Sequence, residues 1–412
     1  MSLFTVFALL ITVTAAFSYL NERHLRLPTS IGVMVAALCL SILLILLGQL
    51  GLGVVEWAQG VFEVVEFDEV LMRGMLSFLL FAGALHVDLG DLLARKWTIA
   101  SLATLGVVLS TFLVGTTVWI LLGAIGLPLS YTYALLFGAL ISPTDPIAVL
   151  GLLKLARAPR GLETAITGES LFNDGVGIVI FTMILGFVLG GHDVSVVEAG
   201  ELFLQEAVGA VFYGLGIGYV AYVALRRVDN HKVEVLITLA VVAGGYALAG
   251  ALHTSGPIAM VVAGLLLGNH GRVFAMSDRT RERLDDFWEL LDEVLNALLF
   301  VMIGLEILLV DFELPRLLAG ILTVPLVLGA RFVSVGVPIT LLKLHRDFPP
   351  YTVTILTWGG LRGGISIALA LSLPPSVERD LIVVVTYVVV VVSILGQGLS
   401  VGRLARWAAR RG

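Results

Sequence analysis

The chain has 412 residues, of which 58% are hydrophobic and 14% charged, with a formal net charge of −6 and a mean hydropathy of +1.02. An average soluble domain carries about 25% charged residues, and a soluble core could not hide this much apolar surface. A polytopic α-helical membrane protein is expected. The apolar runs are about 20 residues long rather than alternating segments of about 10, which excludes a transmembrane barrel.

Thirteen apolar segments follow in chain order, near 3–20, 29–50, 69–87, 97–123, 130–153, 163–190, 202–225, 233–252, 255–269, 288–310, 315–342, 351–373 and 380–402. Met1 to Leu20 lacks a basic n-region and exceeds a signal-peptide core, so a retained first helix is expected. The single cysteine, Cys39, lies inside the second run. No disulfide framework can form, and a packed thiol is expected. With the N-terminus outside, most of the 25 basic residues fall in inner loops and the tail. These include Arg95, Lys96, Lys154, Arg157, Arg226, Arg227, Arg279, Arg281 and Arg403. The outer side holds Arg73, Arg316 and Arg379, and its connections are acidic, as in "EVVEFDE" (63–69). This positive-inside pattern predicts an outer N-terminus and a cytoplasmic C-terminus. No extramembrane domain is expected after the last span, so 1–412 reads as one membrane transport domain.

Two spans are interrupted. In "ALISPTDPIAV" (139–149), Pro143 and Pro146 sit mid-membrane. Each removes a backbone donor and clashes with the carbonyl four residues back, so the helix should unwind around 142–145. In "TWGGLRGGISIAL" (357–369), four glycines surround Arg362 and lower helix stability at the same depth. The breaks fall in the fifth and twelfth spans, the middle members of spans 4–6 and 11–13. Paired broken helices in corresponding halves point to a secondary transporter built from inverted repeats, with its site where the breaks meet.

A charge at mid-bilayer costs at least about 2.5–3.5 kcal/mol, so each deep ionisable residue needs an account. Asp145, Glu169, Asp174 and Arg362 lie deepest; Glu306 and Arg331 are the other candidates. Asp145 precedes Pro146 and suits the N-cap of the second half-helix. It reads equally as a cap alone or as part of a site. Arg362 can satisfy several carbonyls exposed at a helix break and needs a carboxylate partner. Glu169 is the expected partner, in a pair that holds the bundle together. On one helix, Glu169, Ser170, Asn173 and Asp174 span a face of about 140°. With Glu169 matched, Asp174 has no basic partner left. Such a carboxylate can hold a proton or a small cation, and the two compete. Ser170, Thr144 and unwound carbonyls near Ser142 to Thr144 would complete a hard-cation site. Asn173 is neutral and would orient Asp174 without adding charge. One free carboxylate implies electroneutral one-for-one exchange.

The seven histidines, His24, His86, His192, His231, His253, His270 and His345, fall at span ends or in loops without ligand spacing. No HExxH or Walker A pattern occurs. The acidic run "RERLDDFWELLDEV" (281–294) reads as the cytoplasmic lead into the tenth span and could attract cations to an inner funnel. Gly186/Gly190 and Gly214/Gly218 are small-xxx-small packing signals.

Three stretches, "SPTDPIAV" (142–149), "GESLFNDGVGIV" (168–179) and "WGGLRGGISIALALSLP" (358–374), together resemble the sodium/proton exchanger branch of the monovalent cation/proton antiporters, cation/proton antiporter family 1. The resemblance covers most of the chain. It implies thirteen spans, a homodimer in the bilayer, and a six-helix core with two crossing broken helices that moves like an elevator. In this sequence the core would be 97–190 and 351–402 with part of 315–342, and the scaffold 1–87 and 202–310. By resemblance, Asp174 is the ion- and proton-binding aspartate of the Asn-Asp motif, with Asn173 before it. Thr144 and Asp145 match the Thr-Asp pair, Ser170 the ligand hydroxyl, and Glu169 with Arg362 the buried ion pair. Na+ would sit at Asp174, Ser170 and Thr144. No cofactor is implied beyond the transported Na+ and H+, and no nucleic acid. Many members carry a glutamate in the third span, in a context like "LLFEAALH"; here "LLFAGALHVD" has Ala82 at that place. The short C-terminus lacks the regulatory tail of animal exchangers, which implies a prokaryotic inner-membrane protein serving pH homeostasis. The site residues do not separate Na+, Li+ and K+ from one another, so K+/H+ or broad monovalent exchange is the alternative. An intramembrane aspartyl protease using Asp145 and Asp174 would need Tyr-Asp and Gly-x-Gly-Asp motifs, which the sequence lacks.

Overall fold

A computed structural model describes residues 3–411 except 51–52, 54–58, 61–66, 148, 151–152, 154–159, 191–195, 311, 345 and 347. Lys154, Arg157, His192, His345 and the start of the acidic run 63–69 lie outside the described residues. The described residues are helix and connection, with one isolated backbone bridge. In hydrocarbon every N–H and C=O needs an internal partner, and a helix supplies it segment by segment. The principal helices are α1 (Leu3–Leu20), α2 (Thr29–Gln49), α3 (Leu76–Leu85), α4 (Val107–Ala124), α5 (Tyr131–Leu140), α6 (Arg160–Gly190), α7 (Val196–Leu225) and α8 (His231–Ala251). They continue with α9 (Gly256–Leu266), α10 (Asp278–Leu305), α11 (Leu314–Leu342), α12 (Thr352–Gly359), α13 (Gly364–Leu371), α14 (Val377–Val392) and α15 (Leu399–Ala409). Nine helical stretches among the described residues are long and apolar enough to cross a bilayer, and α5 is a shorter apolar helix. The chain is an all-α, multi-pass membrane protein.

Polar caps mark several helix starts. Asn230 accepts from the Lys232 N–H before α8, Ser277 from Thr280 before α10, and Ser376 from Arg379 before α14. These caps satisfy amides that the first turn leaves without partners. The valine-rich α14 buries Leu381, Ile382, Val385, Val389 and Val390 in the largest core cluster. Large apolar side chains point outward elsewhere, such as Phe4 at 78% exposure and Phe212 at 71%. Lipid tails are as apolar as these side chains, so the outward face carries no hydrophobic penalty. The same reason corrects the expectation for Cys39, which is exposed on α2 rather than packed.

Both expected interruptions are present. α5 stops at Leu140, residues 143–146 leave the helical path, and helix resumes at Ile147. α12 ends at Gly359 and α13 starts at Gly364. The two breaks cross: the Asp145 N–H donates to the Leu361 carbonyl at 2.8 Å. The crossing requires glycine for space as well as flexibility. A Cβ on Gly363 would lie 2.7 Å from Asp145, and one on Gly360 would lie 2.7 Å from the Arg331 guanidinium. The glycine packing signals divide. A Cβ on Gly214 would approach the Ala259 carbonyl of α9 to 2.5 Å, whereas one on Gly186 would meet nothing within 4 Å.

Candidate ion-binding site

The proline break creates its own unmet needs. Pro146 has no N–H, so the Ser142 carbonyl four residues earlier loses its helical donor. The next amide, on Ile147, donates to Asp145 Oδ1 at 2.9 Å instead of to the Pro143 carbonyl. Asp145 is thus the cap of the second half-helix, as its position before Pro146 predicts. The two carbonyls left over are both reached by Arg362, whose Nη1 donates to Ser142 O at 2.7 Å and to Pro143 O at 3.1 Å. Arg362 is held in turn by its backbone N–H, which donates to Ser393 Oγ at 3.0 Å. That hydroxyl donates to Gln397 Oε1 at 2.6 Å, and the Gln397 amide donates to the Trp358 carbonyl.

The expected Glu169–Arg362 ion pair is corrected by this arrangement. Glu169 pairs with Arg331 of α11, with Nη1 and Oε1 2.5 Å apart and both side chains buried. Arg331 Nη2 also donates to the Leu356 carbonyl at 3.3 Å. Leu356 lies in the last turn of α12, where a carbonyl has no following amide. Each break is therefore served by an arginine from another element. Arg331 stood among the deep residues in the sequence, but nothing in its local spacing says which carboxylate it meets. Its only signal is a guanidinium amid an apolar span.

Around the first break, Thr144 is the hub. Its N–H donates to Asn173 Oδ1 at 3.3 Å, and Asn173 Nδ2 donates back to Thr144 Oγ1 at 2.8 Å. Thr144 Oγ1 and Ser170 Oγ are 3.1 Å apart. The Asn173 amide thus fastens α6 to the break instead of orienting Asp174, a second correction. Thr144, Ser170 and Asn173 are brought together as expected, with Asp145 in the adjoining turn. Asp174 is buried at 7% exposure and has no ion pair or hydrogen bond among the described residues.

A cavity of about 1240 Å³ reaches this cluster and is lined by Thr144, Asp145, Ser170 and Asp174. Along α6, Glu163, Thr167, Ser170 and Asp174 all line it, at i, i+4, i+7 and i+11. That face runs about 16 Å along the helix. On α10, Glu289, Asp292, Glu293 and Asn296, at i, i+3, i+4 and i+7, line the same cavity. Sequence reasoning took the α10 run as the inner lead to the membrane and missed Glu163 and Thr167 altogether. Their signal was the extension of the Ser170–Asp174 stripe by two further turns. Ala82 lines the same cavity beside Gly83 and His86, and its carbonyl lies 2.8 Å from His86 Nδ1. No group of three or more His, Cys, Asp or Glu with metal-holding geometry occurs among the described residues.

The family described as sodium/hydrogen exchanger, transmembrane, matches residues 4–407. The Na(+)/H(+) antiporter NhaP of Pseudomonas aeruginosa is 52% identical over 97% of this chain and 95% of its own length. NhaH of Halobacillus dabanensis, also named a Na(+)/H(+) antiporter, is 32% identical over 93% of each chain. The solved structure of the sodium proton antiporter MjNhaP1 from Methanocaldococcus jannaschii at pH 8 superposes with a TM-score of 0.74. It covers 98% of this chain and 99% of its own, at 20% identity.

Proposed function

The chain belongs to the sodium/hydrogen exchanger family, and from that premise we propose that it exchanges Na+ for H+ across the bacterial inner membrane, with Asp174 as the group that binds cation and proton in turn. The observation that carries this reading is the contrast within one helix. Glu169 is matched by Arg331, whereas Asp174, five residues further along α6 and lining the cavity, has no countercharge among the described residues. A matched carboxylate is neutralised permanently. An unmatched one in a low-dielectric site must be neutralised by something mobile.

Thr144 Oγ1 and Ser170 Oγ would add hydroxyl oxygens to the Asp174 carboxylate around Na+, suiting a hard cation. Asn173 holds Thr144 to α6. Asp145 caps the second half-helix, and the cap fixes the turn that carries Thr144. With one titrating acid, binding Na+ releases one H+, so exchange is one-for-one and electroneutral. In this reading residues 97–190 and 351–402, with part of 315–342, move as a core against 1–87 and 202–310, in a homodimer of thirteen-span chains with the N-terminus outside. Movement of the crossing as one unit is supported by the arginines that tie both breaks together.

The test is cation-driven proton movement in everted vesicles, with Na+, Li+ and K+ offered separately across pH. Wild type should respond to Na+ without generating a membrane potential, and Asp174→Asn should not respond. Proton-coupled exchange retained by Asp174→Asn would overturn the assignment.

A further inference from the structure

On the wall of the same cavity, two buried oxygens have no partner among the described residues. Asn296 on α10 is 3% exposed and lines the cavity, and its Oδ1 accepts no hydrogen bond. Ser366 on α13 is 1% exposed and lines the same cavity, and its Oγ is likewise unpartnered. Leaving a buried polar atom unmet costs about 1–3 kcal/mol, so two on one cavity wall call for a ligand. One turn before Asn296, Asp292 lines the same cavity. Asp145, Asp174 and Asp292 line this same cavity.

We propose that Asp292, Asn296 and Ser366 form a second binding site for the monovalent cation, separate from Asp174, which holds the ion before it passes Asp145 to the deep site. The donor set is one carboxylate, one amide oxygen and one hydroxyl, with cavity water to complete the shell. These are hard oxygen donors carrying a single negative charge, which suits a partly hydrated Na+. A divalent ion would call for more carboxylates, and the neighbouring Glu289 and Glu293 are exposed. A proton relay does not account for Asn296, because an amide oxygen does not titrate. The site joins α10 to α13, on either side of the core–scaffold division proposed above. It therefore forms only while the cavity stands open in this arrangement. This inference rests on the exchange reading.

The test combines transport and binding. In everted vesicles, Asp292→Asn should raise the KM for Na+ about tenfold, the scale of losing one charged oxygen contact, with the maximal rate kept. Asn296→Leu and Ser366→Ala should raise it less, in the same direction. All three shifts should persist with choline chloride added to about 0.3 M, where long-range attraction is screened. An Asp292→Asn shift that vanishes in choline, with Asn296→Leu unchanged, would reduce Asp292 to a steering charge and overturn the site. For binding, purified Asp174→Asn should still be stabilised thermally by NaCl over choline chloride, and Asp174→Asn/Asp292→Asn should not. No Na+-specific stabilisation in Asp174→Asn also overturns it. Stabilisation that depends on Asp292, in a protein whose wild type exchanges no protons, would retain the site and reject the exchange reading instead.

Discussion

The two breaks cross at a backbone hydrogen bond yet are made by opposite means. The first is made by prolines, which delete donors and leave carbonyls exposed at Ser142 and Pro143. The second is made by glycines, which delete nothing but leave room for Asp145 and Arg331 to come close. The proline break supplies oxygens and a cap; the glycine break supplies a guanidinium. Neither would be tolerable alone at this depth, because unpaired backbone groups and unpaired charge are both costly in hydrocarbon. Each is the other's solvent, and variants should separate their contributions.

The largest effect is expected at the ion pair that ties α6 to α11 and α12. Removing one partner leaves a buried charge, at a cost of about 3–5 kcal/mol. Glu169→Gln and Arg331→Met should each lower thermal stability in detergent sharply. Glu169→Gln/Arg331→Met should be milder than the sum, since no lone charge remains. The same cycle with Arg362 should show weaker coupling to Glu169. Strong Glu169–Arg362 coupling with none at Arg331 would reverse the pairing described here.

Arg362 should come next. Arg362→Ala orphans two carbonyls at once, each worth about 1–3 kcal/mol when buried, and should loosen the proline break from the far side. Arg362→Lys keeps the charge but loses the planar fork, so it should restore part of the stability. If alanine and lysine variants are equally damaged, geometry rather than charge is what the break requires.

How much of this was legible in the sequence follows from the same distinction. The breaks were readable because proline and glycine act on their own backbone, within a turn of where they stand. Asp145 as cap was readable for that reason, since its partner Ile147 is two residues away. The Thr144–Ser170 pairing followed from placing the breaks and the polar stripe of α6 at one depth. The choice between Arg331 and Arg362 was not readable. Both are deep arginines, Glu169 is far from each in sequence, and only the packing of α11 against α12 decides. Asn173 was misread because spacing puts it beside Asp174 on the helix, while its amide turns to the backbone of another element.

A smaller contrast lies between two glycines of the second break. Gly363→Ala would press a Cβ against Asp145, whose carbon atoms adjoin backbone already fixed by the Leu361 bond. Gly360→Ala would press against the Arg331 guanidinium, the far end of a long side chain. Overpacking of this kind costs about 1–3 kcal/mol. Gly363→Ala should lie at the upper end in stability and should also weaken transport through the displaced cap. Gly360→Ala should show its effect through Arg331, and combining it with Arg331→Met should bring back most of the loss. Independent, additive effects would mean that the two glycines act on flexibility rather than on space.

The smallest effect, and the one that separates cause from consequence, is expected for Pro146→Ala. Alanine restores an N–H at 146 and removes the proline clash, so a helix determined by local sequence would heal through the break. The surrounding contacts oppose healing. The Asp145 N–H is already given to Leu361, the Ile147 N–H to Asp145 Oδ1, and the Ser142 carbonyl to Arg362. A continuous helix would need all three to be released, while the restored bond returns only about 0.5–1.5 kcal/mol. Pro146→Ala should therefore keep its break, with stability changed by less than about 1 kcal/mol and Na+-driven exchange retained. If instead the helix heals, exchange should be lost and Arg362→Ala should become nearly silent in that background, because its carbonyl partners would be satisfied within the helix. A retained break would show that the prolines permit the interruption and the crossing maintains it.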